Sequence, residues 1–344
     1  MEAFHFTQCA CVLFDRAPPL EDVARVLAPW NVGARPKEGE GEDAWAVSGP
    51  GYVAPLRSGT IAVVDVLDRP WPSAATAEAR PAIASAFDVG AFGPGATPGA
   101  LARAADQPWL WDQGEAVASG HAGFVRVRTG NVVGEVSTGG ASQEPAGDRD
   151  PTYELRSLTE LAQALLRLPG ALALFVPAGE ALRSREQVDA AMARKIGVSP
   201  PPLELWTNLR AIALLREGEV SWLAIDVIGM RQLGLPDQEA LFAEGEEEPE
   251  AVEALLHDAC LHVLSGNRIA AGATADDRRG HRWKMSPAVG LVAPRRPVLR
   301  WLPEGSQRIP EAALAKLSAT AGTGSGRGSD GASPSPPRRP PGAS

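Results

Sequence analysis

Cysteine is scarce in this sequence, whose three copies are Cys9, Cys11 and Cys260. On a strand, Cys9 and Cys11 would point to the same face, which does not suit a framework of disulfides. Small secreted domains that depend on disulfides carry cysteine far more densely. We therefore expect three reduced, mostly buried thiols, as is typical of a cytoplasmic protein.

Long apolar runs are missing as well. The longest, such as ALALFVPA at 171–178, are well short of the roughly 18 to 20 residues that a transmembrane helix needs. The first residues, MEAFHFTQ, include the acidic Glu2 and lack the basic start of a secretory signal. These absences predict a protein of the cytoplasm with no membrane partner.

Positive charge is in deficit. The chain has 33 lysines and arginines against 42 aspartates and glutamates, a formal net charge of −9. Non-specific binding to nucleic acid depends on a cationic face. We therefore expect no nucleic-acid partner. The 44% of apolar residues and the 344-residue length instead indicate a globular protein with a sizeable core.

Signatures of common enzyme classes are absent too. The sequence contains no Gly-x-Ser-x-Gly elbow, no Ser-x-x-Lys pair and no phosphate-binding loop of the form Gly-x4-Gly-Lys-Ser/Thr. GPGATPG at 93–99 misses the dinucleotide spacing and contains two prolines, which hinder a helix start. Acyl transfer through such a serine and phosphate-cradling chemistry are therefore disfavoured.

One helical segment contains two histidines and a cysteine. In ALLHDACLHVLSG (254–266), His257 and His262 are five positions apart, which places them about 140° apart around a helix. A helical metal chelate needs positions i and i+4, and His281, the nearest other histidine, stands alone in its segment. We predict no metal and no cofactor, with Cys260 in the apolar stripe of the helix.

An aromatic segment precedes the best candidate for acid–base chemistry. In WLWDQGEAVASGH (109–121), Trp109 and Trp111 alternate with Leu110, and His121 opens a predicted strand. Indoles beside an imidazole are typical of a pocket wall and equally of ordinary packing. His121 is thus a candidate general acid or base, and Trp109 and Trp111 are candidate binding residues.

A basic segment, DDRRGHRWKM at 276–285, places arginines around a tryptophan. Arginine next to an aromatic side chain is frequent in protein-contact surfaces, while a solvated hairpin is the simpler interpretation. The candidate binding residues here are Arg278, Arg279, Arg282 and Trp283.

Local patterns predict both strands and helices. Strands are expected at 4–14, 59–67, 121–129 and 171–177, an antiparallel hairpin across 202–230, and short strands around HRWKM and PVLRWL. Helices are expected at 19–30, at 73–87 with a disturbance at Pro81, at 157–168 behind a capping box from Ser157 to Glu160, and at 184–196 behind Ser184.

This order predicts an α+β fold of mixed, mainly antiparallel sheets covered by helices, with two similar α/β halves as an open alternative. We expect an N-terminal α+β half at 1–128, a flexible connection at 129–154 and a C-terminal α+β domain at 155–317. The glycine-, serine- and proline-rich residues 318–344 are predicted to form a disordered tail.

Several motifs together resemble a known family. The capped helix and strand in LTELAQALLRLPGALALFVPAGEAL, the tryptophan-bearing PLELWTNL, the glycine turn in AIDVIGMRQLGLPDQEAL and the helix end VLSGN resemble the uncharacterised bacterial domain of unknown function 4261. The resemblance spans roughly 4–303 and is strongest at 157–269. Where the family has an Asp-Gly-Asp-Thr turn, this chain has AAGATADD at 270–277. The resemblance implies a cytoplasmic protein and no established activity.

The leading hypothesis is a non-catalytic protein that binds another protein, as an accessory or immunity-type factor. The alternative from a different class is an enzyme of unrecognised type that uses His121 as acid or base in a pocket. A structural subunit of a larger assembly is a third hypothesis, and an exposed apolar patch would indicate it.

Overall fold

The computed structural model describes residues 3–36, 39–56, 60–107, 110–133, 150–194, 200–305, 309–310 and 314. Within these ranges the chain forms a seven-stranded and a six-stranded sheet, both mainly antiparallel, with helices against them. The predicted α+β class is confirmed. The predicted tail at 318–344 lies outside the described residues.

The first sheet has the strand order β2-β3-β4-β5-β1-β6-β7. Its strands are β1 (Ala3–Phe14), β2 (Gly33–Arg35), β3 (Gly51–Pro55), β4 (Ile61–Leu67), β5 (Gly123–Val133), β6 (Ala171–Val176) and β7 (Ala181–Arg183). β1 pairs with β5 on one side and with β6 on the other, both antiparallel. This internal position explains why the second half of β1, residues 9–14, is an unbroken apolar run.

Both faces of β1 are buried, each in a different core. Val12 and Phe14 belong to a core that extends into the second sheet, whereas Cys9, Cys11 and Leu13 belong to a separate aromatic core. Successive side chains of a strand point to opposite faces. The prediction that the two cysteines share a face, reduced and buried, is confirmed.

Helices cover the sheets. They are α1 (Leu20–Leu27), α2 (Ala74–Ala79), α3 (Pro81–Asp88), α4 (Ala100–Ala105), α5 (Gly114–Gly120), α6 (Pro151–Leu165), α7 (Arg185–Met192), α8 (Leu203–Trp206) and α9 (Pro249–Leu264). Helices α2 to α5 pack on the aromatic core, and α1 and α6 pack on the other face of the first sheet. Of the helices in the described ranges, none is long and apolar enough to cross a membrane.

Helix starts follow the local sequence in two cases and depart from it in one. Ser73 caps α2, and Ser184 forms a capping box with Gln187 at the start of α7. The capping box predicted from Ser157 to Glu160 is wrong, because α6 begins six residues earlier behind Asp150. Asp150 accepts hydrogen bonds from the two following backbone amides and precedes a proline at the first helical position, which is a stronger start signal.

The second sheet has the order β11-β12-β13-β10-β9-β8. Its strands are β8 (Asn208–Glu217), β9 (Val220–Ile228), β10 (Asp237–Ala243), β11 (Thr274–Asp276), β12 (Arg282–Val289) and β13 (Pro297–Pro303). The predicted β8–β9 hairpin is present. Only β10 and β13 pair in parallel among the described strands, because the chain between them crosses over through α9 and the β11–β12 hairpin.

The sheets do not divide at the predicted connection. The strands β6 and β7, which follow 129–154, return to the first sheet beside β1. The second sheet begins only at Asn208. The prediction relies on the Gly/Ser/Pro-rich composition of 129–154, whereas sheet membership is decided by pairing between strands far apart in the chain.

Candidate functional site

A cleft of about 590 Å³ opens among the helices that cover the aromatic core. It lies between the segment that enters α2, the helix α4 and the helix α5. We call it the tryptophan cleft, and its main lining residues are Trp71, Leu101, Ala105, Trp111, Ala118 and His121. The size is within the range of small-ligand and peptide-anchor sites.

His121 lines this cleft, but backbone groups occupy both of its ring nitrogens. The backbone N–H of Trp71 donates to Nε2 at 2.8 Å, and Nδ1 lies 2.7 Å from the carbonyl oxygen of Ala118. Because Nε2 accepts, Nδ1 carries the proton and the ring is neutral. Burial lowers the pKa of His121 below its ordinary value, and the hydrogen bond to Ala118 opposes that shift only in part.

These contacts give His121 a positioning role. The imidazole joins the end of α5 to the chain before α2, and it therefore fixes two walls of the cleft. A general acid or base needs a ring nitrogen that reaches the substrate. In this arrangement neither nitrogen is offered to the cleft without breaking a hydrogen bond to the backbone.

Carboxylates line the rim of the tryptophan cleft. Asp106, Asp112 and Glu115 are exposed and contribute to its lining. Among the described lining residues none is lysine or arginine. The cleft thus combines an apolar floor with an acidic edge, which favours a ligand that is apolar in one part and cationic in another.

The two predicted tryptophans have different outcomes. Trp111 is half-buried, packs against the aromatic core and lines the cleft beside His121. Trp109 lies outside the described residues. Sequence reasoning missed Trp71, which is buried and meets the rings of Phe92 and Phe175 edge to face at 5.1 Å. It stands fifty residues from His121, so no local pattern placed it at the site.

The predicted surface of arginines around a tryptophan is only half present. Arg278, Arg279 and Arg282 are exposed, whereas Trp283 is fully buried beneath them. Strand β12 alternates exposed and buried residues, so Arg282 and Trp283 point to opposite faces. The alternation of polar and apolar residues in RWKM indicates that Arg282 and Trp283 lie on opposite faces of the strand. This correction removes Trp283 from any partner-contacting surface.

The arginines also have acidic partners of their own. Nη1 of Arg279 lies 3.1 Å from Glu248, and Nε of Arg282 lies 2.8 Å from Asp276. Both are exposed ion pairs, which contribute little to stability. They neutralise much of the positive charge that the sequence segment displays.

The helix α9 matches its prediction. Cys260 is buried in the apolar stripe, while His257 and His262 are exposed on its flanks. Burial raises the pKa of the Cys260 thiol. The side chains of His257 and His262 lie on different flanks of α9 and do not converge.

A different cluster gathers next to α9, and sequence reasoning missed it. Glu247, Asp277 and His281 each offer a ligand atom, and these three atoms lie within 4.8 Å of one another. We call this set the carboxylate–histidine cluster. Glu247 stands just before α9, Asp277 follows β11 and His281 precedes β12. About thirty residues and a helix separate Glu247 from the other two in sequence, so the residue spacing does not indicate that the three side chains meet.

The side chains of this cluster are held firmly. Nδ1 of His281 lies 2.8 Å from Oε2 of Glu247. Oδ1 of Asp277 accepts from the backbone N–H groups of Arg279 and His281, each at 2.9 Å, and Oδ2 accepts from the Trp283 indole at 3.2 Å. Trp283 thus has a structural role as a donor beneath the cluster.

The charges of the cluster shift its acid–base equilibria. Burial alone would raise the pKa of Asp277, but the hydrogen bonds from His281, Trp283 and Arg279 lower it below the ordinary value. The hydrogen bond to Glu247 raises the pKa of His281. Asp277 is therefore anionic near neutral pH, beside a basic imidazole.

The part of the chain that matches a known protein family lies in the second sheet and α9. Residues 226–302 match the family described as Domain of unknown function (DUF4261). The matched segment runs from β9 to β13 and contains the whole carboxylate–histidine cluster, whereas the tryptophan cleft lies outside it. The resemblance predicted from sequence is confirmed over this segment. Neither the curated proteins nor the solved structures gave a match to the chain.

Proposed function

We propose that this chain is a non-catalytic protein of the bacterial cytoplasm that binds another protein through the tryptophan cleft, as an accessory or immunity-type factor. The observation that carries the proposal is the pairing of an apolar floor, with Trp71 and Trp111, and an acidic rim. Aromatic side chains beside charged groups are frequent at protein-recognition sites.

The partner has a definite chemistry under this proposal. A segment with one large apolar side chain fills the floor between Trp71 and Trp111, and a neighbouring lysine or arginine faces Asp112 and Glu115. A volume of about 590 Å³ accommodates a few side chains rather than a whole helix. The exposed rim charges favour association at low ionic strength.

The alternative is an enzyme in which His121 acts as acid or base in this cleft. The nearby carboxylates support it, because a histidine beside a carboxylate is a common catalytic pair. The backbone hydrogen bonds of both ring nitrogens count against it, because Nε2 accepts from the Trp71 N–H and Nδ1 donates to the Ala118 carbonyl oxygen. We rank protein binding first for that reason.

The test compares captured partners among variants. Tagged wild-type protein is used to recover partners from the native cell extract, together with Trp111→Ala and the double variant Asp112→Asn/Glu115→Gln. The control is Glu219→Gln, an exposed charge at the β8–β9 turn of the other sheet. We expect one partner in equal amount with wild type and control, and its loss with both cleft variants.

The recovered partner is then purified and its affinity measured at low and high salt. We expect wild type to bind the partner more tightly at low salt, and we expect Asp112→Asn/Glu115→Gln to lose this salt dependence. This result supports the acidic rim as the contact surface. Equal recovery by all variants would contradict the cleft as the binding site. Turnover of a small molecule that His121→Gln abolishes would favour the enzyme instead.

A further inference from the structure

We propose that Glu247, Asp277 and His281 bind one divalent transition-metal ion. This site is independent of the tryptophan cleft, because it lies on the second sheet and shares no residue with it. The proposal starts from the convergence of two carboxylates and an imidazole within 4.8 Å, supplied by the segment that leads into α9 and the turn between β11 and β12.

The spacing suits a single ion. Ligand atoms at about 2.1 Å from zinc are separated by about 3 to 4.2 Å, depending on the coordination geometry. The pair His281 Nδ1 and Glu247 Oε2 is at 2.8 Å, and no pair in the set exceeds 4.8 Å. Shifts of several tenths of an ångström therefore bring all three atoms to bonding distance.

Asp277 is oriented for this task. A carboxylate has about four lone-pair directions, two on each oxygen. Two backbone N–H groups fill those of Oδ1, and the Trp283 indole takes one on Oδ2. One direction on Oδ2 is left for a ligand. Donors of this kind behind a metal-binding carboxylate fix its position and tune its affinity.

The charge of the cluster favours a dication. The side chain of Glu247 is 2% exposed, and Asp277 is also buried. Two buried carboxylates near each other are costly unless positive charge compensates them. A divalent ion bound by both carboxylates compensates their charge directly and leaves the imidazole neutral as a ligand.

The open side of the site is at His281, whose side chain is 44% exposed. Water can therefore complete the coordination shell around three protein ligands, as in sites that keep an exchangeable position. A mixed set of nitrogen and oxygen ligands favours zinc, manganese, iron or cobalt over magnesium and calcium, which prefer oxygen alone.

The experiment uses the full chain after treatment with a chelator. Cobalt(II) is titrated and its visible absorption followed, and zinc(II) binding is measured by calorimetry. We expect one ion per chain and quenching of Trp283 emission, which Trp283→Phe removes. Since loss of second-shell partners alone costs about 10- to 100-fold in affinity, His281→Gln and Glu247→Gln should each cost at least that much.

The matched control is His262→Gln, which removes an exposed histidine of α9 outside the cluster. It should bind as wild type does. Thermal unfolding without metal confirms that each variant is folded, and His281→Gln is the main test because its side chain is half-exposed. Binding that is absent in wild type, or that persists unchanged in His281→Gln, would overturn the proposal, as would loss of binding in His262→Gln.

Discussion

Arg210 of β8 and Glu180, which immediately precedes β7, form an ion pair between the two sheets, with Nη1 and Oε2 2.8 Å apart. Both side chains are 2% exposed. Arg210 also holds Asp226 at 2.6 Å, and Asp226 contacts Arg296 in turn. Glu180 accepts a second bond from Nε of Arg103 in α4 at 2.8 Å. A mostly buried ionic network therefore links α4 and the residue before β7 to the matched segment of the second sheet.

Replacing Glu180 by glutamine should destabilise the protein markedly. The amide keeps the shape but leaves Arg210 and Arg103 without their shared carboxylate. Breaking one partner out of a buried pair typically costs about 3 to 5 kcal/mol in the free energy of unfolding. Urea-induced unfolding followed by far-ultraviolet circular dichroism measures the change.

Glu160→Gln is the control, because Glu160 is a partly exposed residue of α6 whose carboxylate lies 3.4 Å from Nε of Arg156. Its loss should cost at most about 1 kcal/mol. Equal effects of the two substitutions would contradict the view that the buried network joins the sheets.

A close contact between backbones gives a second prediction. A methyl group added to Gly179 would lie 1.8 Å from the carbonyl oxygen of Trp206, in the chain that enters β8. Neither backbone can retreat without moving a strand. Gly179→Ala should therefore cost about 3 kcal/mol or more in unfolding free energy.

Gly120→Ala is the matched comparison, because a methyl group there meets nothing within 4 Å. Its effect should stay within about 0.5 kcal/mol. Melting temperatures measured by calorimetry compare the two variants. A Gly179→Ala protein as stable as Gly120→Ala would show that the chain relaxes at this junction.

Sequence reasoning succeeded where a pattern is local. The burial of both faces of β1 and the apolar stripe of α9 follow from the residues within each element, so both elements were predicted correctly. It failed where contacts are distant. No local feature indicates that β6 returns to pair with β1, or that Trp71 donates its backbone N–H to His121.

The site residues divide in the same way. The arginines around Trp283 suggest an exposed surface, but the period of two in β12 turns this tryptophan inward. No sequence pattern indicates Glu247, since its proximity to His281 depends on how α9 packs against the second sheet. Residue spacing in the sequence cannot predict a site whose residues come from separate segments. A helix cap such as Ser184 can be predicted, because its capping box with Gln187 lies within four residues.

Cysteine reactivity gives a third prediction. All three thiols are buried, and burial raises the pKa of Cys11 and of Cys260. Since the thiolate is the reactive form, the folded protein should react with a thiol-specific disulfide reagent only at its rate of unfolding. In urea, all three thiols should react at once. Rapid labelling of the native protein at any cysteine would contradict this packing.

The pH dependence of stability tests the role of His121. Burial lowers its pKa in the folded protein, while the unfolded chain titrates near about 6.5. Below that value the unfolded chain takes up a proton that the folded protein resists, so stability falls as pH decreases. Above it the ring is neutral in both states, and the bond from the Trp71 backbone contributes in full.

Comparing unfolding free energies between about pH 7.5 and about pH 5 should therefore show a smaller loss in His121→Gln than in wild type. Glutamine accepts the Trp71 hydrogen bond without a titrating nitrogen. His257→Gln, at an exposed position of α9, should keep the wild-type slope. If His121→Gln also had the wild-type slope, the imidazole would take up a proton as readily in the folded protein as in the unfolded chain. That result would favour the catalytic alternative for His121 over the proposed binding role.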